Sequence, residues 1–425
     1  MEIERWEGAW LARENSWTLV YGRRKTGKTF LLKRNVRWEV YYTVGRSGFG
    51  ILETRSGERS VVSYKEGLEA VLDTVGRGGT AVLDEFQRSP EWTWDLISTV
   101  KDEGGGRLIL CGSSLGVATR VYDRRSSLLG ILAPFKVDIA SPSDTIASLS
   151  KHLPARPSLL WSILARDPWL LGLIKPGKNP FDELVARLPT LIPSAAGLVG
   201  EVFREEEREL TRLYDATLRV LAQGYWTSGA IAQKLYEAGL LERPEASAVT
   251  GVLDQLSKMG LVERVKLWKT RHARVYYRHR SSLLSILMYV EERYPDETPP
   301  ANTLPSLLGL EAQFFVGELL AEVKGLSRAY TVAREGDIDV VLMRGDTPVI
   351  GYEVKLGSIS SAEAKRATDR IKGLGIPKTG LVSLTDEPDG LADEVVGPDE
   401  LFRLANAFSR KRLSSLYANR LEGDN

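Results

Sequence analysis

Cysteine is almost absent: Cys111 is the only one in 425 residues. An internal disulfide is therefore excluded, and a reducing compartment suits such a chain. Histidine is nearly as scarce. His152, His272 and His279 are scattered along the chain, too few and too far apart for a histidine-built metal site. A surplus of one charge is missing as well. Lys and Arg number 57 against 56 Asp and Glu, a net charge of +1, so any affinity for nucleic acid has to come from a local patch. No apolar run reads as long enough to span a membrane. The charged start Met1-Glu2-Ile3-Glu4-Arg5 does not read as a signal peptide. A cytoplasmic chain without a membrane partner is the expectation. Size and apolar content are what is present: hydrophobic residues make up 43%, and this length predicts about three or four domains.

Gly22-Arg23-Arg24-Lys25-Thr26-Gly27-Lys28-Thr29 has glycine, any four residues, glycine, lysine, threonine. That is the spacing of a phosphate-binding loop. Trp17-Thr18-Leu19-Val20-Tyr21 reads as a buried strand entering it, and Phe30-Leu31-Leu32-Lys33-Arg34 as a helix leaving it. This order wraps backbone N–H groups and a helix N-terminus around an anion. Gly22 through Phe30 are the candidate nucleotide contacts, with Lys28 reaching the terminal phosphates and the Thr29 hydroxyl on Mg²⁺. The expected ligands are ATP and Mg²⁺. Adenine has no readable motif of its own.

Two further strands end in polar residues. Gly79-Thr80-Ala81-Val82-Leu83-Asp84-Glu85 closes on two carboxylates. A nucleotide hydrolase needs one acid to hold Mg²⁺ through its waters and another to orient or deprotonate the attacking water. Asp84 suits the first role and Glu85 the second, which makes Glu85 a catalytic candidate. Arg107-Leu108-Ile109-Leu110-Cys111-Gly112-Ser113-Ser114 ends in hydroxyls. Ser113 or Ser114 could sense the γ-phosphate, or could simply cap the following helix.

The predicted organisation follows from pattern and punctuation. Residues 1–140 alternate strand and helix, with strands near 18–21, 39–44, 80–84, 107–112 and 133–139, hence a parallel sheet. Residues 141–204 read as short helices broken by prolines, a helical lid. Residues 205–294 read as three helices and a hairpin, a winged helix-turn-helix. The basic run from Lys266 to Arg280 carries Lys269, Arg271, Arg274 and Arg278, with Trp268, Tyr276 and Tyr277 interleaved. A DNA-contacting wing has this composition, and so has a solvated face of an internal protein-interaction module. Residues 295–305 are proline-rich and read as a linker.

The last segment, 306–425, holds Gly336-Asp337-Ile338-Asp339-Val340, a turn near Arg344–Pro348, and Tyr352-Glu353-Val354-Lys355. Side chains alternate along a strand, so Glu353 and Lys355 share a face. If the hairpin closes, Asp339, Glu353 and Lys355 converge. Two carboxylates suit a hard divalent cation, and the ammonium can serve the reacting phosphate. This is the PD-(D/E)XK pattern of nucleases, with Glu311 as the candidate helical carboxylate. Asp339, Glu353 and Glu311 are then metal candidates, and Asp339, Glu353 and Lys355 catalytic ones. A surface ion pair, or a nuclease fold that has lost activity, would show the same residues.

Taken together, Tyr21–Thr29, Leu83-Asp84-Glu85-Phe86-Gln87-Arg88, Cys111-Gly112-Ser113-Ser114, Met259-Gly260-Leu261-Val262-Glu263 and Tyr352–Lys355 resemble the archaeal AAA+ ATPases of the signal-transducing (STAND) class. Those carry a winged helix and a C-terminal nuclease-like domain. The resemblance implies an α/β fold: a P-loop NTPase parallel sheet with a helical lid, a winged helix-turn-helix, and a C-terminal α/β restriction-endonuclease-like domain. It also implies that Arg88 senses nucleotide across an interface, in a homo-oligomer or with protein partners. Two positions depart from the family. Leu128-Leu129-Gly130 is followed by Ile131 and not by arginine, and Arg166-Asp167-Pro168-Trp169 keeps the lid proline without its glycine. The implied function is an ATPase acting on DNA with a metal-dependent nuclease domain. A nucleotide-dependent regulatory switch and an ATP-dependent transcription regulator are the competing expectations.

Overall fold

The computed structural model describes residues 1–101, 105–206, 208–270, 275–331 and 337–418. The chain divides into two compact units. One comprises Trp6–Asp138, Glu201–Glu209 and Ser415–Asn425, the other Met1–Arg5, Ile139–Gly200 and Leu210–Ser414.

The first unit runs α1 (Trp6–Arg13), β1 (Thr18–Tyr21), α2 (Lys28–Asn35), β2 (Val40–Val44), β3 (Phe49–Thr54), β4 (Arg59–Ser63) and α3 (Tyr64–Gly76). It continues with β5 (Thr80–Asp84), α4 (Trp92–Val100), β6 (Arg107–Gly112), α5 (Leu115–Val121) and β7 (Ala133–Lys136). All seven strands form one sheet in the order β4-β3-β2-β5-β6-β1-β7. The run from β2 to β7 is parallel. Its central strands β1, β5 and β6 are near-continuous buried apolar runs because both faces are covered. Leu19, Leu83 and Leu110 pack with Leu68, Val71 and Val75 of α3. Their chain neighbours Val20, Val82 and Ile109 pack on the opposite face with Leu11, Leu31 and Leu32. The period of two along each strand thus builds two core layers. Tyr21, Asp84 and Gly112 end their strands at one edge of this sheet, the carboxyl edge where ligands bind in open α/β folds.

β3 and β4 are an antiparallel addition at the sheet edge that the alternating pattern did not predict. Their outward side chains Phe49, Ile51 and Val61 are exposed, so this segment lacks the buried run that marks the other strands.

The second unit begins with α6 (Pro142–Leu149), α7 (Ala155–Leu164) and α8 (Pro180–Glu205), whose end belongs to the first unit. α9 (Arg212–Ala222), α10 (Ser228–Glu237), α11 (Ala246–Lys258), β8 (Val262–Lys266) and β9 (Val275–His279) follow. Next come α12 (Ser282–Arg293), α13 (Thr303–Lys324), β10 (Ser327–Thr331), β11 (Ile338–Arg344) and β12 (Thr347–Lys355). α14 (Ser361–Gly373), β13 (Thr379–Ser383), β14 (Glu394–Val396) and α15 (Pro398–Ala418) complete it.

Two expectations need correction here. Pro189 and Pro193 were expected to break helices, yet α8 runs through both for 26 residues. Each proline removes one N–H and crowds the preceding turn, but Leu184, Leu188, Leu191, Ala195 and Leu198 form a buried stripe along the helix. Burial of that stripe outweighs the local cost. Second, α13 is long and apolar enough to cross a membrane by length and composition, although no such run was expected. It is a core helix of the unit: Phe314, Phe315, Leu319 and Leu320 are buried, and its Glu311 and Glu318 are held in ion pairs.

β8 and β9 pair antiparallel, with Val265 opposite Tyr276. The chain leaving β8 then joins β10: the Trp268 N–H donates to the Tyr330 carbonyl at 2.8 Å, and Leu267 bridges Tyr330. The C-terminal sheet has the order β10-β11-β12-β13-β14. β10, β11 and β12 are antiparallel, while β13 and β14 are parallel to β12 in sequence. Gly345, at φ 62°, opens the turn between β11 and β12, a left-handed conformation that suits glycine.

Candidate functional site

The phosphate loop sits between β1 and α2 and depends on two glycines. A Cβ on Gly22 would lie 2.0 Å from the Val137 carbonyl oxygen, so only glycine allows this close backbone approach. Gly27 takes φ 90° at the N-cap of α2. The Thr26 hydroxyl donates to the Arg23 carbonyl at 2.9 Å and holds the loop closed. Lys28 is buried, and its ammonium donates to the Gly22 and Arg23 carbonyls, both at 2.9 Å. Burial pushes its pKa below the ordinary value, against the pull of Asp84 and Glu85. A cation so held loses little on meeting phosphate, because its partners are weak neutral carbonyls.

Asp84 lies within reach of that loop. The Thr29 hydroxyl donates to Asp84 Oδ2 at 2.8 Å. The Tyr41 hydroxyl donates to the same oxygen at 2.6 Å, and the Glu85 N–H donates to Oδ1 at 2.8 Å. Tyr41 was missed in the sequence; it reads there as one more apolar strand residue. Buried polar groups of this kind find partners, and these partners fix the carboxylate's orientation. Glu85 occupies a left-handed conformation, φ 58° and ψ 37°, which is strained for a residue with a Cβ. Its Oε2 accepts from Gln87 Nε2 at 2.7 Å and lies 2.9 Å from Arg88 Nη2. Ser113 joins the same group, its hydroxyl 3.4 Å from Glu85 Oε2 and 3.0 Å from Gln87 Nε2. Thr29, Asp84, Glu85 and Ser113 therefore converge. Lys25 reaches outward to Glu201 at 3.3 Å, and Phe30 is exposed.

Residues with no forecast role complete this edge. Glu205 accepts from Arg24 Nη1 at 3.0 Å, Arg46 Nη2 at 3.2 Å, Arg88 Nη2 at 3.4 Å and Gln87 Nε2 at 3.0 Å. Burial raises the carboxyl's pKa, but the Gln87 hydrogen bond and the three guanidiniums outweigh it and hold it below the ordinary value. Glu206 accepts from the N–H groups of Leu115 and Gly116, at 2.6 and 3.1 Å, and from the Ser114 hydroxyl at 3.0 Å. The only signal in the sequence was the acidic run Glu205-Glu206-Glu207, which reads as a solvated surface.

In the C-terminal sheet, Val340 faces Tyr352, which carries Asp339 opposite Glu353. Asp339 Oδ2 accepts from the Val354 N–H at 2.8 Å. Burial first, then the neighbouring Glu353 charge, pushes the Asp339 pKa up to about 7. Burial likewise raises Glu353, against Arg370. The remaining candidates are engaged elsewhere. Glu353 pairs with Arg370 at 2.6 Å, and Lys355 with Glu363 at 2.6 Å. Glu311 is ion-paired with Arg278. Among the described residues no group of three or more His, Cys, Asp or Glu is arranged to hold a metal ion.

Two of the four wing candidates, Lys269 and Arg278, make contacts within the chain. Arg278 is buried and holds Glu263 at 2.6 Å as well as Glu311. Arg280 and Arg166 hold Glu318, at 2.9 and 2.5 Å. A guanidinium desolvated among carboxylates does not offer itself to a phosphate backbone. The Lys269 ammonium donates to the Leu374 carbonyl at 2.7 Å. Arg271 and Arg274 lie outside the described residues.

Residues 14–133 match the protein family described as AAA domain. This similarity covers 120 of the 425 residues. The matched segment contains the loop from Gly22 to Thr29, Asp84, Glu85 and Ser113, and it ends before α6. Comparison with curated proteins gives no match. Among solved structures, the Walker-type ATPase PABY2304 of Pyrococcus abyssi is 16% identical, at TM-score 0.47, covering 68% of this chain and 96% of that one. The ORC2 protein of Aeropyrum pernix, solved as ADPNP-ADP complexes, is 14% identical at TM-score 0.40, covering 74% and 95%. The Aeropyrum pernix ORC1 protein in complex with DNA is 16% identical at TM-score 0.31, covering 68% and 90%.

Proposed function

We propose that the AAA domain binds ATP with Mg²⁺ and hydrolyses it. The observation that carries this reading is the hydrogen bond from Thr29 to Asp84, made beside the buried Lys28. The donor set fits the ligand. Gly22 and Gly27 leave room for backbone N–H groups to approach phosphate, and Lys28 supplies a cation to its terminal oxygens. Thr29 and Asp84 are hard oxygen donors that would hold Mg²⁺, and the metal would neutralise charge on the phosphates. Glu85 orients the attacking water and accepts its proton. Ser113 and Gln87 keep Glu85 in place.

Phosphate release measured on the whole chain tests this. Glu85→Gln keeps the shape of the side chain and removes its basicity, so turnover falls by roughly a hundredfold or more while ATP still binds. Turnover at the wild-type rate in Glu85→Gln contradicts the assignment.

A second reading concerns the C-terminal sheet, and the raised Asp339 beside Glu353 favours it. Two carboxylates that resist joint ionisation are stabilised by a divalent cation. With Lys355 nearby, the group would cleave a phosphodiester, with DNA as the substrate class. Plasmid nicking in Mn²⁺ that is lost in Lys355→Ala supports it. Nicking that survives Lys355→Ala, or none on any DNA form, leaves the ATP-driven switch as the function. The transcription-regulator reading loses its support, because Arg278, the one described arginine among the wing candidates, pairs inside the chain.

A further inference from the structure

The cluster around Glu205 has a composition that a structural ion pair does not need. Arg24 comes from the phosphate loop, Arg46 from the turn after β2, and Arg88 from the turn after Glu85. All three guanidiniums meet a single oxygen, Glu205 Oε1, at 3.0, 3.2 and 3.4 Å. Gln87 Nε2 serves the other oxygen at 3.0 Å and also touches Glu85 at 2.7 Å and Ser113 at 3.0 Å. The Glu205 side chain is 6% exposed. Arg24 Nη1 lies 3.8 Å from Glu85 Oε1, so the cluster adjoins the proposed water-orienting acid. Several convergent cationic forks suit an anion with several oxygens and more than one charge. A single carboxylate satisfies such a group only in part.

We propose that Arg24, Arg46, Arg88 and Gln87 form a site for the terminal phosphate of a nucleoside triphosphate, and that Glu205 fills this site in the nucleotide-free protein. The proposal rests on the nucleotide reading above and adds an intramolecular competitor to it. A triphosphate brings more charge and three terminal oxygens to the same donors and displaces the carboxylate. A diphosphate ends at the loop and leaves Glu205 where it is. The displaced segment is Glu201–Glu206, whose Glu201 also holds Arg24 at 2.8 Å. The acidic end of α8 is thereby a detector that distinguishes triphosphate from diphosphate.

Calorimetric titration of the whole chain with a non-hydrolysable ATP analogue and with ADP, both with Mg²⁺, tests this. A site filled by its own side chain about nine-tenths of the time weakens apparent affinity about tenfold. Glu205→Gln therefore tightens the ATP analogue about tenfold and changes ADP by less than about twofold. Arg46 is 60% exposed, so Arg46→Ala folds normally; it weakens the ATP analogue and spares ADP. Amide exchange in Glu201–Glu206 rises with the analogue and not with ADP. If the ratio of the two affinities is unchanged in both variants, Glu205 is only a structural ion pair and the proposal is overturned. If the wild type binds neither nucleotide, the ATP reading itself fails. Binding of both that is lost in Lys28→Ala retains that reading whatever Glu205 does.

Discussion

At the scale of single residues, the site is a set of charges whose ionisation the fold controls. Asp339 shows this most directly. Its ordinary value is 3.8, and in the folded chain it is raised to about 7. Between pH 4 and 7 the unfolded chain has released this proton while the folded chain keeps it. The folded state then binds more protons, so its stability falls as pH rises through that window. Below pH 4 both states are protonated and the effect vanishes. Asp339→Asn removes the penalty. Its advantage over wild type in thermal denaturation is absent near pH 4 and grows to at most about 4 kcal/mol above pH 7. An equal advantage at both pH values contradicts the assignment. Mn²⁺ at pH 7 stabilises wild type and not Asp339→Asn if the second reading is right.

At the scale of elements, the hairpin β8–β9 is the clearest case of a sequence signal with two meanings. Basic residues with aromatics suggested a nucleic-acid surface. The fold instead spends Arg278 on Glu263 and Glu311 and seats the guanidinium 4.1 Å from the Phe314 ring. Removing one partner of a buried pair costs about 3–5 kcal/mol. Arg278→Ala should lower the urea midpoint accordingly, without a selective change in the salt dependence of any DNA binding. A variant as stable as wild type refutes the buried network. Helix α14 carries a local device that could be read in advance. Ser360 and Glu363 form a capping box, and Glu363 also holds Lys355. Ser360→Ala should cost about 1 kcal/mol in the same measurement. What was legible in the sequence was local: the loop's glycines and the apolar runs of β1, β5 and β6. The edge hairpin β3–β4, the passage of α8 through Pro189 and Pro193, and the arginines around Glu205 depend on partners distant in sequence, and no window of the chain displays them.

At the scale of the whole molecule, a segment similar to the AAA domain family is followed in the chain by a longer run of helices and a five-stranded mixed sheet. The candidate phosphate-site residues were legible because the proposed chemistry fixes their spacing. Glu205 and Glu206 were missed because they reach the site from about 180 residues along the chain, as the Arg24–Glu205 separation of 181 shows. Tyr41, Asp84, Glu85, Gln87 and Ser113 form one connected polar group at a single sheet edge, and the proposed function places a nucleotide beside it. The most direct measurement is calorimetric titration of the full chain with Mg²⁺-ATP, alongside Lys28→Ala. The account predicts one site in wild type and an affinity lower by roughly a hundredfold in the variant, the scale of losing a desolvated charge contact. The variant should keep its fold, because Lys28 bonds only to carbonyls of its own loop. Equal ATP affinity in wild type and a folded Lys28→Ala would contradict it.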